Sequence, residues 1–220
     1  MMNKRVLLLC GHYGSGKTNI AVNLAQAIKR EYPTVTLADL DIVNPYFRSK
    51  DSAQDLEAAG IRLICSRYAN SNVDIPALPP DLYALTDDRR MRAVIDVGGD
   101  DRGALVLGRI APAILSENDY EMLMVINCYR PLTRDAASTI EVMREIEHAG
   151  GIRFTALINN SNLGTETTAT DVLASMSYAN EVAAMSNLPL VMTTADQKLQ
   201  KDLQDKIPNL FPLKLQDKIQ

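Results

Sequence analysis

Residues 6 to 25 read VLLLCGHYGSGKTNIAVNLA, and this stretch narrows the possible folds more than any other. An apolar run ends at Gly11, small and polar residues follow, and a helical pattern opens at Lys17-Thr18. Beyond it Ile20, Leu24, Ala27 and Ile28 fall on one helical face. A run that is apolar without alternation belongs to a strand covered on both sides, which is the environment of a parallel sheet between helix layers.

The same grammar continues along the chain. Apolar runs predict strands at Val6–Cys10, Val35–Ala38, Ile61–Cys65, Ala93–Val97, Met122–Asn127, Phe154–Asn159 and Leu190–Thr193. Helices are expected between them, at Lys17–Glu31, Ala53–Ala59, Ala104–Leu115, Thr133–Ala149, Thr168–Ser186 and Gln197–Ile207. This alternation implies an α/β fold with a mostly parallel, doubly wound sheet and helices on both faces, three layers in all. With 220 residues, 46% of them hydrophobic, one core can be filled. The expected organisation is one domain over residues 1–207, with 208–220 as a loose C-terminal extension. Two stretches resist the pattern: residues 70 to 90 hold three prolines and read as a long loop, and LQDKI occurs at 203–207 and again at 215–219.

The loop after the first strand fits G-x-x-x-x-G-K-S/T at Gly11, Gly16, Lys17 and Thr18. Each residue type has a chemical reason. The backbone of Gly11, His12, Tyr13, Gly14, Ser15 and Gly16 can turn its N–H groups toward phosphate oxygens. Lys17 offsets phosphate charge, Thr18 offers a hydroxyl to Mg²⁺, and the helix N-terminus adds a favourable dipole. Acidic groups stand at other strand ends, Asp39 and Asp41 in VTLADLDIVNPYF and Asp96 in RAVIDVGGDD. Asp96 suits a Mg²⁺-bound water, with Asp39 as a further candidate near the metal, and Asp41 suits the attacking water.

The order GxxGSGKT, NLA, VTLADLDIVNP, VIDVGG resembles the deviant-P-loop ATPases, the group of MinD, ParA-type partition proteins and the nitrogenase iron protein. The likeness spans roughly residues 4 to 195 and is most specific in the first hundred. It implies a P-loop NTPase fold, ATP and Mg²⁺ as ligands, and a nucleotide-dependent switch acting on a protein client. Lys17, Asp41 and Asp96 take the catalytic positions by that similarity, and Asn160 in ALINNSNL takes that of an adenine-reading amide. Many members carry a second Lys that reaches the partner's nucleotide across a dimer; this chain has His12 there, and Tyr13 where Gly is usual. The loop also resembles that of nickel-insertion GTPases, which lack the second Lys and read guanine through N-K-x-D. The corresponding Asn159-Asn160-Ser161-Asn162 has no Asp, so ATP is expected over GTP.

Other features bound the function. Net charge is -4 with a pI near 5.2, so nucleic acid is not an expected partner. No run approaches the ~20 apolar residues of a membrane span. The start, MMNKRVLLLC, has the basic-then-apolar order of a leader, but its apolar part is short and enters the Gly loop directly, so a buried strand and a cytoplasmic protein are expected. Cys10, Cys65 and Cys128 lack metal-ligand spacing. Tyr46, Phe47 and Arg48, just after Asp41, would suit a partner surface that follows nucleotide state. Arg102, Arg109 and Arg130 could each meet phosphate, although an ordinary salt bridge is the simpler expectation for any one of them. Besides a client-directed ATPase, with an ATP-dependent homodimer among the partners to expect, the motifs leave open a small-molecule kinase or ligase of the dethiobiotin-synthetase type. They also leave open a regulator that binds nucleotide without hydrolysing it and a metallocofactor-maturation GTPase.

Overall fold

Eight parallel strands form the centre of the molecule in the computed structural model, which describes residues 3–40, 50–65, 85, 88–99 and 101–215. The strands are β1 (Val6–Cys10), β2 (Val35–Asp39), β3 (Ile61–Cys65), β4 (Arg92–Asp96), β5 (Tyr120–Ile126), β6 (Ala156–Asn159), β7 (Leu190–Asp196) and β8 (Leu210–Leu213). Their order across the sheet is β3-β2-β4-β1-β5-β6-β7-β8, and every pairing is parallel. Helices α1 (Lys17–Lys29), α2 (Lys50–Ala58), α3 (Asp101–Glu117), α4 (Ala136–Gly150), α5 (Ala169–Ser186) and the short α6 (Gln200–Leu203) complete it.

Strand β1 shows why its sequence is apolar throughout. Leu7 and Leu9 face α1, packing with Ile20, Ala21 and Leu24, while Val6, Leu8 and Cys10 face the α3 and α4 side with Leu107, Ile110 and Ile140. Leu7, Leu8 and Leu9 are all fully buried, each contributing about 1.5–3 kcal/mol relative to exposure. The α4 helix starts at Asp135, whose carboxylate accepts the Ser138 N–H, and ends at Gly151 with φ 66. A reciprocal Thr168–Asp171 cap starts α5.

The α/β three-layer arrangement agrees with expectation, and the differences lie toward the C-terminus. The expected helix 197–207 is a 3-10 turn, Gln197–Leu199, followed by the single turn of α6. Pro208 bars any helical continuation through Ile207, because the residue before a proline is pushed out of the helical region. Residues 210–213, expected to be part of a loose extension, instead add β8 to the sheet beside β7. Pro212 is tolerated there because β8 is an edge strand. The Asn23 side chain then holds the main chain of Lys214, accepting its N–H at 2.9 Å and donating to its carbonyl at 3.1 Å. The tail is thereby fastened to α1.

Because β1 lies between β4 and β5, the chain leaves the sheet centre in both directions around the C-terminal end of β1. A crevice at such a switch of strand order is where open α/β sheets place ligands.

Candidate functional site

The loop joining β1 to α1 sits in that crevice. Gly11, Gly14 and Gly16 all have positive φ, at 148, 75 and 88. At Gly16 the requirement is double: the backbone is left-handed, and a Cβ there would run into the Asn160 amide nitrogen. The Gly99 backbone lies against the other side of the loop, where a Cβ would come 2.7 Å from the Tyr13 nitrogen and 2.9 Å from the Gly11 carbonyl oxygen. The loop is thus clasped between the end of β4 and the end of β6.

Lys17 is buried, 7% exposed, and curls over its own loop. Its ammonium donates to the carbonyls of Gly11 at 3.0 Å and His12 at 3.4 Å. A buried cation held only by neutral oxygens, among the described residues, is favourable ground for an anion. The Ser15 N–H closes the turn on the His12 carbonyl at 3.2 Å, and its buried hydroxyl has no hydrogen-bond partner among the described residues. Such an orphaned hydroxyl, inside a loop whose geometry depends on glycine, fits a phosphate cradle.

The hard-oxygen side is equally defined. Thr18 Oγ1 donates to Asp96 Oδ2 at 2.6 Å, and Asp96 is 1% exposed. Asp39 and Asp96 are register partners on adjacent parallel strands, so both buried carboxylates arrive at the same sheet edge. One hydroxyl and one or two carboxylates match Mg²⁺, which keeps most of its waters. Among the described residues there is no group of three or more His, Cys, Asp or Glu side chains able to hold a metal ion. Burial pushes the Cys10 thiol up from 9.0 to about 12, with Lys17 opposing and Asp96 adding to the shift. Burial, then the nearby Asp39, does the same for Cys65. Both thiols are therefore protonated near neutral pH and poorly suited to bind metal or react.

His12 is half-buried, with Nδ1 3.0 Å from the Tyr13 carbonyl; a carbonyl only accepts, so Nδ1 carries the proton. The Tyr13 ring stands 62% exposed at the loop tip. Asn160, expected to read an adenine edge, lies against the loop with its amide turned inward. Its Nδ2 donates to the Ser15 carbonyl at 2.6 Å while its Oδ1 accepts from Thr194 Oγ1 at 2.6 Å. Here it pins the phosphate loop to β7, where reading an adenine edge asks for the same amide to face outward. Asp41 lies outside the described residues, as do Tyr46, Phe47, Arg48 and most of the 70–90 stretch.

Two contributors escaped the sequence reading. Asn127, fully buried, accepts the N–H groups of Tyr129 and Asn162 on its side-chain oxygen and so joins the loops after β5 and β6. Thr194 is the second, through its bond to Asn160. A strand-ending Asn before a Pro-containing turn was the available signal for Asn127; Thr194 offered none, being one of two threonines inside a strand.

No family model matches the chain, and no curated protein matches it by sequence. Solved structures do resemble it. The cell division protein FtsY of Thermotoga maritima is 19% identical with a TM-score of 0.58, over 91% of this chain and 66% of that one. Chloroplast FtsY of Physcomitrella patens is 18% identical with a TM-score of 0.56, over 86% and 58%. FlhF complexed with GTP and Mg²⁺ is 14% identical with a TM-score of 0.54, over 89% and 67%. The chain thus spans about three fifths to two thirds of the length of these FtsY structures. What the likeness establishes is the architecture: this chain has the α/β fold of the P-loop NTPases.

Proposed function

We propose that the chain binds Mg-ATP at Gly11–Thr18 and acts as a nucleotide-dependent switch on a protein client, hydrolysing ATP to ADP and phosphate. The observation that carries this reading is the Thr18–Asp96 contact beside a glycine-dependent loop that buries Lys17. In this account Lys17 and the loop backbone hold the phosphates. Thr18 and Asp96, with Asp39 as a further carboxylate at the same sheet edge, would hold Mg²⁺, and Asp41 would orient the attacking water. The metal, when bound, would spread and neutralise phosphate charge. Catalysis in such a site is mainly positioning and electrostatics, so the clasping of the loop by Asn160 and Gly99 is part of the machinery.

The MinD/ParA-like grouping and the choice of ATP rest on the motifs, the latter on the missing acid in Asn159–Asn162. Guanine nucleotide is the competing reading, favoured by similar structures, one an FtsY in complex with GDP and another FlhF with GTP and Mg²⁺. A membrane partner is not part of the proposal: among the described residues no helix is long and apolar enough to cross a bilayer. With a net charge of -4, nucleic acid is not part of it either.

Light scattering with Mg²⁺ and ADP, ATP, GTP or a nonhydrolysable ATP analogue, read beside phosphate release, tests the switch. ATP-dependent change of mass with phosphate release is expected. A nucleotide-bound monomer that releases no phosphate would contradict the hydrolytic cycle and the homodimer together. Asp41→Ala should keep ATP affinity and slow phosphate release by roughly 100-fold or more; equal turnover would remove the role given to Asp41.

A further inference from the structure

Of the arginines noted in the sequence, Arg130 has a described side chain that reaches the phosphate loop. Its own backbone is fixed first. The Arg130 N–H donates to the Asn127 carbonyl at 3.2 Å, Thr133 Oγ1 donates to the same carbonyl at 2.7 Å, and Pro131 begins a 3-10 turn. From this base Arg130 Nε donates to the Gly14 carbonyl at 2.8 Å. The guanidinium lies along the loop so closely that a Cβ on Gly14 would stand 3.5 Å from Nε and 4.0 Å from Cζ.

The charge balance around this group is incomplete. Arg5, Arg90 and Arg134 pair with Glu117, Asp88 and Asp135. Among the described residues Arg130 has no carboxylate at ion-pair distance and, beyond the Gly14 bond, no side-chain hydrogen bond. It rests on a loop that already buries the Lys17 ammonium. A second cation brought there costs Coulomb repulsion that the neutral Gly14 carbonyl does little to offset. With Nε tethered, the planar fork is held and its terminal N–H groups are left to donate, an arrangement matched to the oxygens of a phosphate.

We propose that Arg130 is a second cationic contact for the phosphates of the bound nucleotide, supplied in cis by the loop after β5. This rests on the nucleotide reading of the preceding section. The test is calorimetric titration of the wild type, Arg130→Gln and Arg130→Lys with Mg-ATP, Mg-ADP and inorganic tripolyphosphate, beside the melting temperature of each protein alone. Arg130→Gln should bind ATP and ADP about 10–100-fold more weakly, as expected for loss of a charge-assisted contact. Tripolyphosphate should lose affinity by the same factor, Arg130→Lys should recover part of it, and the nucleotide-free melting temperature should stay within about 2 °C. Unchanged affinity, a loss for ATP that tripolyphosphate does not share, or a large fall in melting temperature without nucleotide would overturn it. A wild type that binds no nucleotide would instead remove the reading of the loop itself.

Discussion

Asn160 shows how a single amide links two layers of the argument. Both ends of its side chain are committed inside the protein, to Ser15 and to Thr194, and it is only 5% exposed. Asn160→Ala leaves those two groups without partners and should cost about 1–3 kcal/mol of stability. If the amide shapes the loop, ATP and GTP binding weaken together in that variant. A changed preference between them, measured by competition titration, would restore Asn160 to direct base reading. The resemblance carried by ALINNSNL pointed to base reading; the inward direction of the amide was not legible, because the Thr194 partner lies 34 residues further on. The lysine, threonine and aspartate of the site were legible for the opposite reason. They follow from a contiguous motif and from a strand end, neither of which depends on which distant side chain happens to pack nearby.

Strand ends, at the scale of elements, carry both the chemistry and a pH dependence. Cys10 and Cys65 end β1 and β3, and each thiol rises from 9.0 to about 12 on burial. Below pH 9 both states of the chain keep these protons. Between 9 and about 12 the unfolded chain releases them first, so the folded state loses stability as pH rises through that window. Urea unfolding at pH 8 and pH 10 should show this fall, and a Cys10→Ala, Cys65→Ala double variant should show a shallower one. An identical pH slope would mean that the thiols titrate normally in the fold. The seven strands from β1 to β7 were readable because each is a mainly apolar segment between helical stretches, even where Thr36, Arg62 or Thr193 interrupts it. Strand β8 was not, because LFPL is short and holds a proline, and its anchor, Asn23, lies 191 residues away from Lys214. Asn23→Ala should cost about 1–3 kcal/mol by freeing the Lys214 main chain. A melting temperature equal to wild type would show that β8 holds without the anchor.

Taken whole, the molecule brings the loop Gly11–Thr18, Asp39, Asp96, Arg130 and Asn160 to one edge of one sheet. Parallel pairing puts the ends of β1, β2 and β4 side by side, carrying the phosphate loop, Asp39 and Asp96, while β5 and β6 deliver Arg130 and Asn160 from the other flank. The sequence alternation foretold this convergence, since a doubly wound sheet has one ligand-facing edge. What remained hidden was the cross-bracing among the loops, which is written in three dimensions by Asn127, Gly99 and Thr194.

The central claim is that the loop Gly11–Thr18 is a Mg²⁺-dependent nucleotide site built around Lys17. Calorimetric titration of the wild type and Lys17→Ala with ATP and GTP, with and without Mg²⁺, tests it most directly. The account predicts saturable wild-type binding of ATP in preference to GTP, strengthened by Mg²⁺. At 100 times the dissociation constant this should stabilise the fold by about 2.7 kcal/mol, a rise of about 5–10 °C in melting temperature. Lys17→Ala should lose binding by 100-fold or more while remaining folded, because the cation it removes is held only by two carbonyls of its own loop. A folded Lys17→Ala protein that binds ATP as tightly as the wild type would contradict the account.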